Sequence, residues 1–464
     1  MRSEDVCDGK HDATSKGCVL LVSTLASFLT PFIGSSVNIA LPSIGKEFQM
    51  DAVLLSWIST SFLLSAAMFL VPFGRIADIH GRKKVFLSGI SIYTLACLLS
   101  ALSPSAGVLI ASRVMQGIGS SMIFGTGVAM LTSVFPAGER GRALGINVAA
   151  VYLGLSLGPF IGGSITEHFG WRAIFLANIP LGLLIILLVI GKIKGEWAEA
   201  RGEKLDIIGS IIYGLSLMAV MYGFSQPSAS GVALIGMGLF GALTFLRWEI
   251  KAESPLLDIN LFRANRVFTF SNLAALINYS ATFGVAFLLS LYLQYIKGLS
   301  PQNAGLIMVA QPIVMTVFSP FAGRLSDRME PRVVASTGMA LIAIGLFFFI
   351  FLNEKTALAL IVADLSLLGL GFALFSSPNT NAIMSSVSRK FYGVASGIVA
   401  TMRMTGQMLS MGVVMLLFAA HIGRVPITPP CYPLFLKSVK SAFIIFSALC
   451  FAGIFASLAR GKLR

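Results

Sequence analysis

The stretch Gly74-Arg75-Ile76-Ala77-Asp78-Ile79-His80-Gly81-Arg82-Lys83-Lys84 decides how the rest of the chain is read. It places small residues, one acid and four Lys or Arg side chains between two long apolar segments. A weaker copy, Gly323-Arg324-Leu325-Ser326-Asp327-Arg328, keeps the Gly-to-Asp spacing far downstream. Two related charged hinges at equivalent points of two hydrophobic halves are what a duplicated membrane transporter would show.

Composition agrees. Of the 464 residues, 56% are hydrophobic and 12% charged, and the mean hydropathy is +0.85, so lipid is the main solvent. A spanning helix needs about 20 mostly apolar residues. Fourteen segments qualify: 18–41, 53–73, 84–103, 106–130, 143–165, 172–191, 207–225, 231–248, 267–296, 303–322, 333–352, 357–378, 393–420 and 440–459. They are continuously apolar and do not alternate with period two, which favours helices over a barrel. The first run is too long for a signal-peptide core and is read as a mature span.

The duplication extends beyond the hinges. Leu109-Ile110-Ala111-Ser112-Arg113, followed by Gly117-x-Gly119, matches Leu360-Ile361-Val362-Ala363-Asp364, followed by Gly369-x-Gly371; Gly145 and Gly154 match Gly397 and Gly406. The predicted fold class is therefore all-α: a polytopic membrane protein of fourteen transmembrane helices, with two pseudo-symmetric six-helix bundles and a two-helix insertion. The expected division is a tail at 1–17, a bundle at 18–191, a charged linker with the inserted hairpin at 192–265, a second bundle at 266–459 and a tail at 460–464.

Lys and Arg concentrate in alternate loops, at 75–84, 139–142, 192–204, 247–266, 324–332, 389–390 and in the final tail. Those loops are expected in the cytoplasm of a cell membrane, with both termini on that side. The net charge of +14 then reflects topology and attraction to anionic lipid, and no nucleic-acid partner is expected. Five cysteines without a C-x-x-C pair and four dispersed histidines point to neither a disulfide framework nor a metal site. No G-x-x-x-x-G-K-[ST] loop occurs, so no cofactor, nucleotide motor or enzymatic activity is expected.

The pattern over Gly74 to Lys84 resembles the loop between the second and third spans of the major facilitator superfamily. Span count and layout resemble its fourteen-span drug:proton antiporter branch over essentially the whole chain. Leu109-x-x-x-Arg113-x-x-Gln116-Gly117-x-Gly119 is similar to a fourth-span pattern whose arginine serves proton coupling. Gly154-x-x-x-Gly158-Pro159-x-x-Gly162-Gly163 is similar to a fifth-span pattern associated with antiport. Trp171-Arg172-x-x-Phe175-x-x-Asn178-x-Pro180 and Asn38-Ile39-Ala40-Leu41-Pro42 resemble the sixth-span and first-span signatures. The resemblance implies alternating access and export of small amphipathic molecules in exchange for protons by a monomer.

Roles follow for particular residues. Gly74, Asp78, Arg82 and Asp327 are the expected gate, with Asp78 and Arg82 pairing to neighbouring helix ends when the protein faces outward and parting when it opens inward. Glycines four apart on one face, with Pro159 lacking a backbone donor, let the fifth span seal a cavity and still pivot. Charge inside the membrane is costly, by about 2.5–3.5 kcal/mol per residue on insertion scales, so Arg113, Asp364 and Arg403 are expected to work. The branch usually carries a first-span acid where this chain has Ile33. Asp364 is the natural substitute as proton carrier, against the rival of a static pair with Arg113 or Arg403. Polar candidates for the cavity are Asn38, Gln116, Tyr152, Asn278, Tyr279, Gln311 and Gln407, any of which could be helix-to-helix glue. A facilitator or importer, or a non-transporting sensor or scaffold, remain open alternatives, as does the charge of the solute.

Overall fold

The computed structural model describes residues 16–136, 139–252, 255–257, 259–388 and 392–461. Residues 1–15 and 462–464 of the expected tails, the basic pair 389–390 and the side chain of Asp327 lie outside the described residues.

A backbone in hydrocarbon must satisfy its own polar groups, and a helix does so locally. Fourteen helical spans are long and apolar enough to cross a membrane, and no strand occurs among the described residues. The first half comprises α1 (Lys16–Glu47), α2 (Ala52–His80), α3 (Arg82–Ala101), α4 (Ala106–Val134), α5 (Arg140–Phe169) and α6 (Arg172–Lys192). A strip without helix, 193–206, leads to the hairpin α7 (Ile207–Phe224) and α8 (Ala229–Glu249) and the short α9 (Ile259–Ala264). The second half comprises α10 (Arg266–Leu291), α11 (Pro301–Met308), α12 (Ala310–Arg328), α13 (Pro331–Phe349), α14 (Leu358–Ser385), α15 (Tyr392–His421) and α16 (Tyr432–Ala459). Side-chain caps start several of these: Asp51, Ser105, Asp206, Asn265 and Ser300 each accept from an amide of the following first turn.

Three local features depart from the sequence reading. The apolar run at 53–73 continues as helix through the charged motif to His80, and the turn shrinks to Gly81 at φ 117°, a backbone region that favours glycine. At 1.5 Å per residue a 29-residue helix is ~44 Å long, so its charged end projects beyond a hydrocarbon core of about 30 Å. The expected span 303–322 is divided at Val309, because Pro312 lacks the N–H that would bond the Met308 carbonyl. The span that begins with α10 ends in a π turn, Tyr292–Ile296.

The helices form two bundles whose internal contacts repeat. In the first, α1 packs on α5 and α6, α2 and α3 on α4, and α3 on α6; in the second, α10 packs on α15 and α16, α12 and α13 on α14, and α13 on α16. Paired glycines behave alike. A Cβ on Gly117 would strike α2 at the Phe62 carbonyl, and one on Gly369 would strike α12 at the Gln311 carbonyl. Gly119 meets α3 at the Gly89 carbonyl as Gly371 meets α13 at the Gly338 carbonyl. Gly154 closes on α1 at Phe28 and Gly406 closes on α10 at Leu276. The inserted hairpin lies against α2 and α15: the Tyr213 hydroxyl donates to the Ala67 carbonyl at 3.2 Å, and Gly412 abuts Phe224 and Met221.

Candidate functional site

Two seams join the bundles, one between α2 and α15, the other between α5 and α11 with α12. The end of the molecule bearing Gly81 and the basic loops is here the basic end; Gly170 marks the opposite one.

The opposite end is sealed. Gly163 of α5 lies on the Pro301 carbonyl, and Gly305 of α11 lies on the Pro159 carbonyl, so closely that an added Cβ would strike each oxygen. Hydrogen bonds cross beside them. Ser290 Oγ donates to the Asn38 carbonyl at 2.6 Å, Gln294 Nε2 to the Ile39 carbonyl at 2.9 Å, and the Gln302 amide to Glu167 Oε2 at 3.0 Å. At the second seam the Ala52 amide donates to the Val425 carbonyl at 3.1 Å. The remaining glycines of the fifth-span string bind α5 to α1, where Gly158 and Gly162 face Ser35 and Ser36, and Ser36 Oγ donates to the Gly158 carbonyl at 2.9 Å. Next to the seal, Glu47 accepts from Trp171 Nε1 at 2.7 Å and pairs with Arg172, which ties the start of α6 to the end of α1.

Among the described residues the basic end is parted. A Cβ on Gly141 or Gly145 of α5, on Gly393 or Gly397 of α15, or on Gly74 of α2 would meet nothing within 4 Å. Gly170, Gly298 and Gly423 at the opposite end are also bare but lie in turns, whereas the bare glycines of the basic end lie within the seam helices α2, α5 and α15. Near its basic end α12 carries a surface cavity of about 400 Å³ lined by Phe321, Arg324, Leu325 and Arg328. Between seal and parting lies a cluster drawn from both bundles. The Tyr152 hydroxyl of α5 and Ser376 Oγ of α14 are 2.9 Å apart, and the Arg403 guanidinium of α15 lies 5.4 Å from the centre of the Phe124 ring of α4. Tyr279 of α10 is half-buried beside it.

Arg113 and Asp364 are placed elsewhere. Both sit 21 residues from the basic ends of their helices, whereas Arg403 sits 11 from its own, an axial difference of ~15 Å at 1.5 Å per residue. Arg113 is 1% exposed within the first bundle: Nε donates to the Ile58 carbonyl at 3.1 Å, Nη1 donates to Gln116 and the guanidinium stacks on Phe62. Asp364 packs against α13 at Gly345, and its Oδ1 has no hydrogen-bond partner. The expected static pairs are absent among the described residues. The matching glycines stand 252 residues apart but Arg113 and Asp364 only 251, and one residue on an α-helix turns a side chain by about 100°. Arg113 therefore faces α2, and Asp364 faces α13.

Two of the expected cavity groups bond to neighbouring helices. Asn38 Oδ1 accepts from Ser59 at 3.0 Å, and Gln116 Nε2 reaches Cys97 Sγ at 3.0 Å. Asn278 is fully buried with both amide atoms unpartnered, while Gln407, one turn beyond Arg403, and Gln311 are half-buried.

The gate charges stay within the first half and the strip that follows it. Arg82 Nε and Nη2 donate to Asp78 Oδ1 at 3.0 and 2.8 Å, and Nη1 donates to Ser133 Oγ at 2.6 Å and Glu199 Oε1 at 2.7 Å. Around this centre Arg75 pairs with Glu203, the Lys83 amide donates to Glu196 Oε1 at 2.8 Å, and the Ala200 amide donates to the Asp78 carbonyl at 2.9 Å. The Asp78–Arg82 pair is thus intact although the basic end is parted, because none of its partners belongs to the second bundle. The strip as a clasp escaped the sequence reading, although the spacing of Glu196, Glu199 and Glu203 against Arg75, Arg82 and Lys83 was a usable signal.

Residues 23–251 and 271–462 match the family description Major Facilitator Superfamily. The chain belongs to that superfamily. It is a multi-pass membrane transporter of it, and its relatives include drug exporters. It is 30% identical over 450 residues to the riboflavin transporter RibZ of Clostridioides difficile, covering 95% of this chain and 96% of that one. It is 33% identical over 423 residues to the cephamycin export protein CmcT of Amycolatopsis lactamdurans, with 88% and 86% covered. It is 29% identical over 410 residues to the multidrug resistance protein Stp of Mycobacterium tuberculosis, with 87% and 76% covered. The human organic anion transporter MFSD10 superposes with a TM-score of 0.66 at 14% identity over 96% of this chain and 100% of the other, a likeness of fold.

Proposed function

We propose that this superfamily member is an alternating-access exporter of small amphipathic molecules, driven by proton exchange across a cell membrane. The observation that carries the reading is the pairing of a sealed opposite end with a parted basic end around a polar cluster at mid-depth. A carrier that rocks about a midplane site has that shape in one of its two states. The Lys and Arg of the loops at that end support a cytoplasmic parted end, with both termini there. The chain acts as a monomer, with 18–191 and 266–459 as the moving bundles and 192–265 as the inserted linker and hairpin.

In the other state the bare faces of Gly74, Gly141, Gly145, Gly393 and Gly397 are to close, while the contacts of Gly163 and Gly305 open. Asp364 is the proton carrier, supported by its burial, its unpartnered oxygen and its distance from any arginine partner. Purified protein in liposomes with an imposed pH gradient tests this. Substrate addition should move protons, and Asp364→Asn should abolish that movement while solute still binds; undiminished proton movement in Asp364→Asn ends the assignment. One observation favours a second reading, a facilitator without proton exchange: Ile33, where the branch usually carries an acid, is fully buried in the apolar core. Flux indifferent to the pH gradient supports that reading.

A further inference from the structure

Two buried arginines are fully provided for within their bundles. Arg113 donates to a carbonyl and to Gln116 and stacks on Phe62. Arg460, at the end of α16 and 1% exposed, donates to the Ser457 carbonyl at 2.8 Å, to Ser271 Oγ at 3.2 Å and to Asn379 Oδ1 at 3.1 Å. Arg403 differs from both. It stands between the bundles at mid-depth, and among the described residues it has neither a hydrogen-bond acceptor nor an ion-pair partner; its Nε is buried without one.

An unpaired guanidinium at that depth is costly unless something supplies the anion. The protein does not: Asp364 lies ~15 Å nearer the opposite end and packs against α13. What surrounds Arg403 is aromatic and neutral, namely the Phe124 ring, the phenols of Tyr152 and Tyr279, and the Ser376 hydroxyl. A cation entering this space would meet a like charge with no carboxylate to offset it. A planar ring system bearing an acid group would find a guanidinium fork for the acid and faces for the ring. Near the basic end of α12, Arg324 and Arg328 lie one turn apart beside Phe321 and Leu325, repeating the combination of positive charge and apolar surface, and neither arginine has a partner among the described residues.

We propose that the space around Arg403 binds anionic planar amphiphiles, an aromatic ring system carrying a carboxylate or phosphate, with Arg403 as the anchor and Arg324 and Arg328 as an electrostatic funnel from the basic end. This rests on the transporter reading and adds the class of solute to it.

Fluorescein and rhodamine 6G test it, since they share a xanthene core and carry opposite charge. Binding to the purified full chain in detergent is followed by fluorescence anisotropy. Fluorescein should bind saturably and about tenfold or more tighter than rhodamine 6G, the size of one charge-assisted hydrogen-bonded contact. Arg403→Gln should erase that preference. Arg403→Lys, which keeps the charge and loses the planar fork, should weaken fluorescein binding yet leave it ahead of rhodamine 6G. Replacing Arg324 and Arg328 together by Gln should slow fluorescein association about two- to fivefold and flatten its salt dependence. Rhodamine 6G binding as tightly as fluorescein, neither dye binding, or an unchanged preference in a normally melting Arg403→Gln protein would each overturn the proposal. These outcomes leave the transporter reading standing, because that reading is judged by inter-bundle distances that need no dye.

Discussion

The two ends of the seam between α5 and α11 with α12 use glycine in opposite ways. At the sealed end Gly163 and Gly305 let one backbone lie on another, so an added methyl would strike a carbonyl oxygen that cannot step aside. At the parted end Gly141 and Gly145 of the same helix touch nothing. If the carrier rocks as proposed, that smooth face is kept for a contact not made here. One helix carrying both faces couples the two ends: if it pivots as a rod, opening one closes the other.

Breaking the seal should have the largest effect. Gly305→Leu drives a side chain into the Pro159 carbonyl, so transport should be lost while the protein still reaches the membrane and opposite-end cysteines gain reactivity toward an impermeant thiol reagent. Normal flux in Gly305→Leu would contradict the account. The complementary change acts on the other face: Gly145→Leu should leave solute binding in this state intact and cut turnover about tenfold or more by blocking closure, a loss of transition-like stabilisation of at least 1.4 kcal/mol. Next comes the clasp. Arg82→Ala removes donors to Asp78, Ser133 and Glu199 and should lower turnover about tenfold, whereas Glu199→Gln should cost no more than about threefold, since Glu199 is 67% exposed and exposed pairs contribute about 1 kcal/mol or less. The smallest effect sharpens the glycine comparison directly. Gly406→Ala meets the Leu276 carbonyl and Tyr279 Cβ and should lower the melting temperature by several degrees; Gly397→Ala, with nothing near it, should shift it by about 2 °C or less.

Which parts of this were legible in the sequence follows from what periodicity encodes. Fourteen apolar runs and the repeated glycines gave the spans and the symmetry, because span length and close approach are written in composition and spacing. Rotation of a helix about its own axis is not. Arg113 and Asp364 matched in depth along their spans, yet the one-residue difference in their distance to the following glycines, four against five, sends them to different neighbours. Asn38 and Gln116 carry the chemistry of cavity groups, and their bonds to Ser59, Arg113 and Cys97 are seen only once the helices are packed. Phe124 and Ser376 went unremarked, since a phenylalanine and a serine within a span carry no signal until the opposing bundle brings Arg403 and Tyr152 to them.

The most direct test of exchange between two states is a pair of spin-label distances on one protein background. One pair, at Leu144 and Leu325, reports the basic ends of α5 and α12; the other, at Phe169 and Asn303, reports the sealed end. The account predicts two populations at each end, in opposite phase: the longer basic-end distance accompanies the shorter sealed-end distance, and a pH gradient or Gly305→Leu moves both together. A single unchanging distance at both ends under every condition would contradict it.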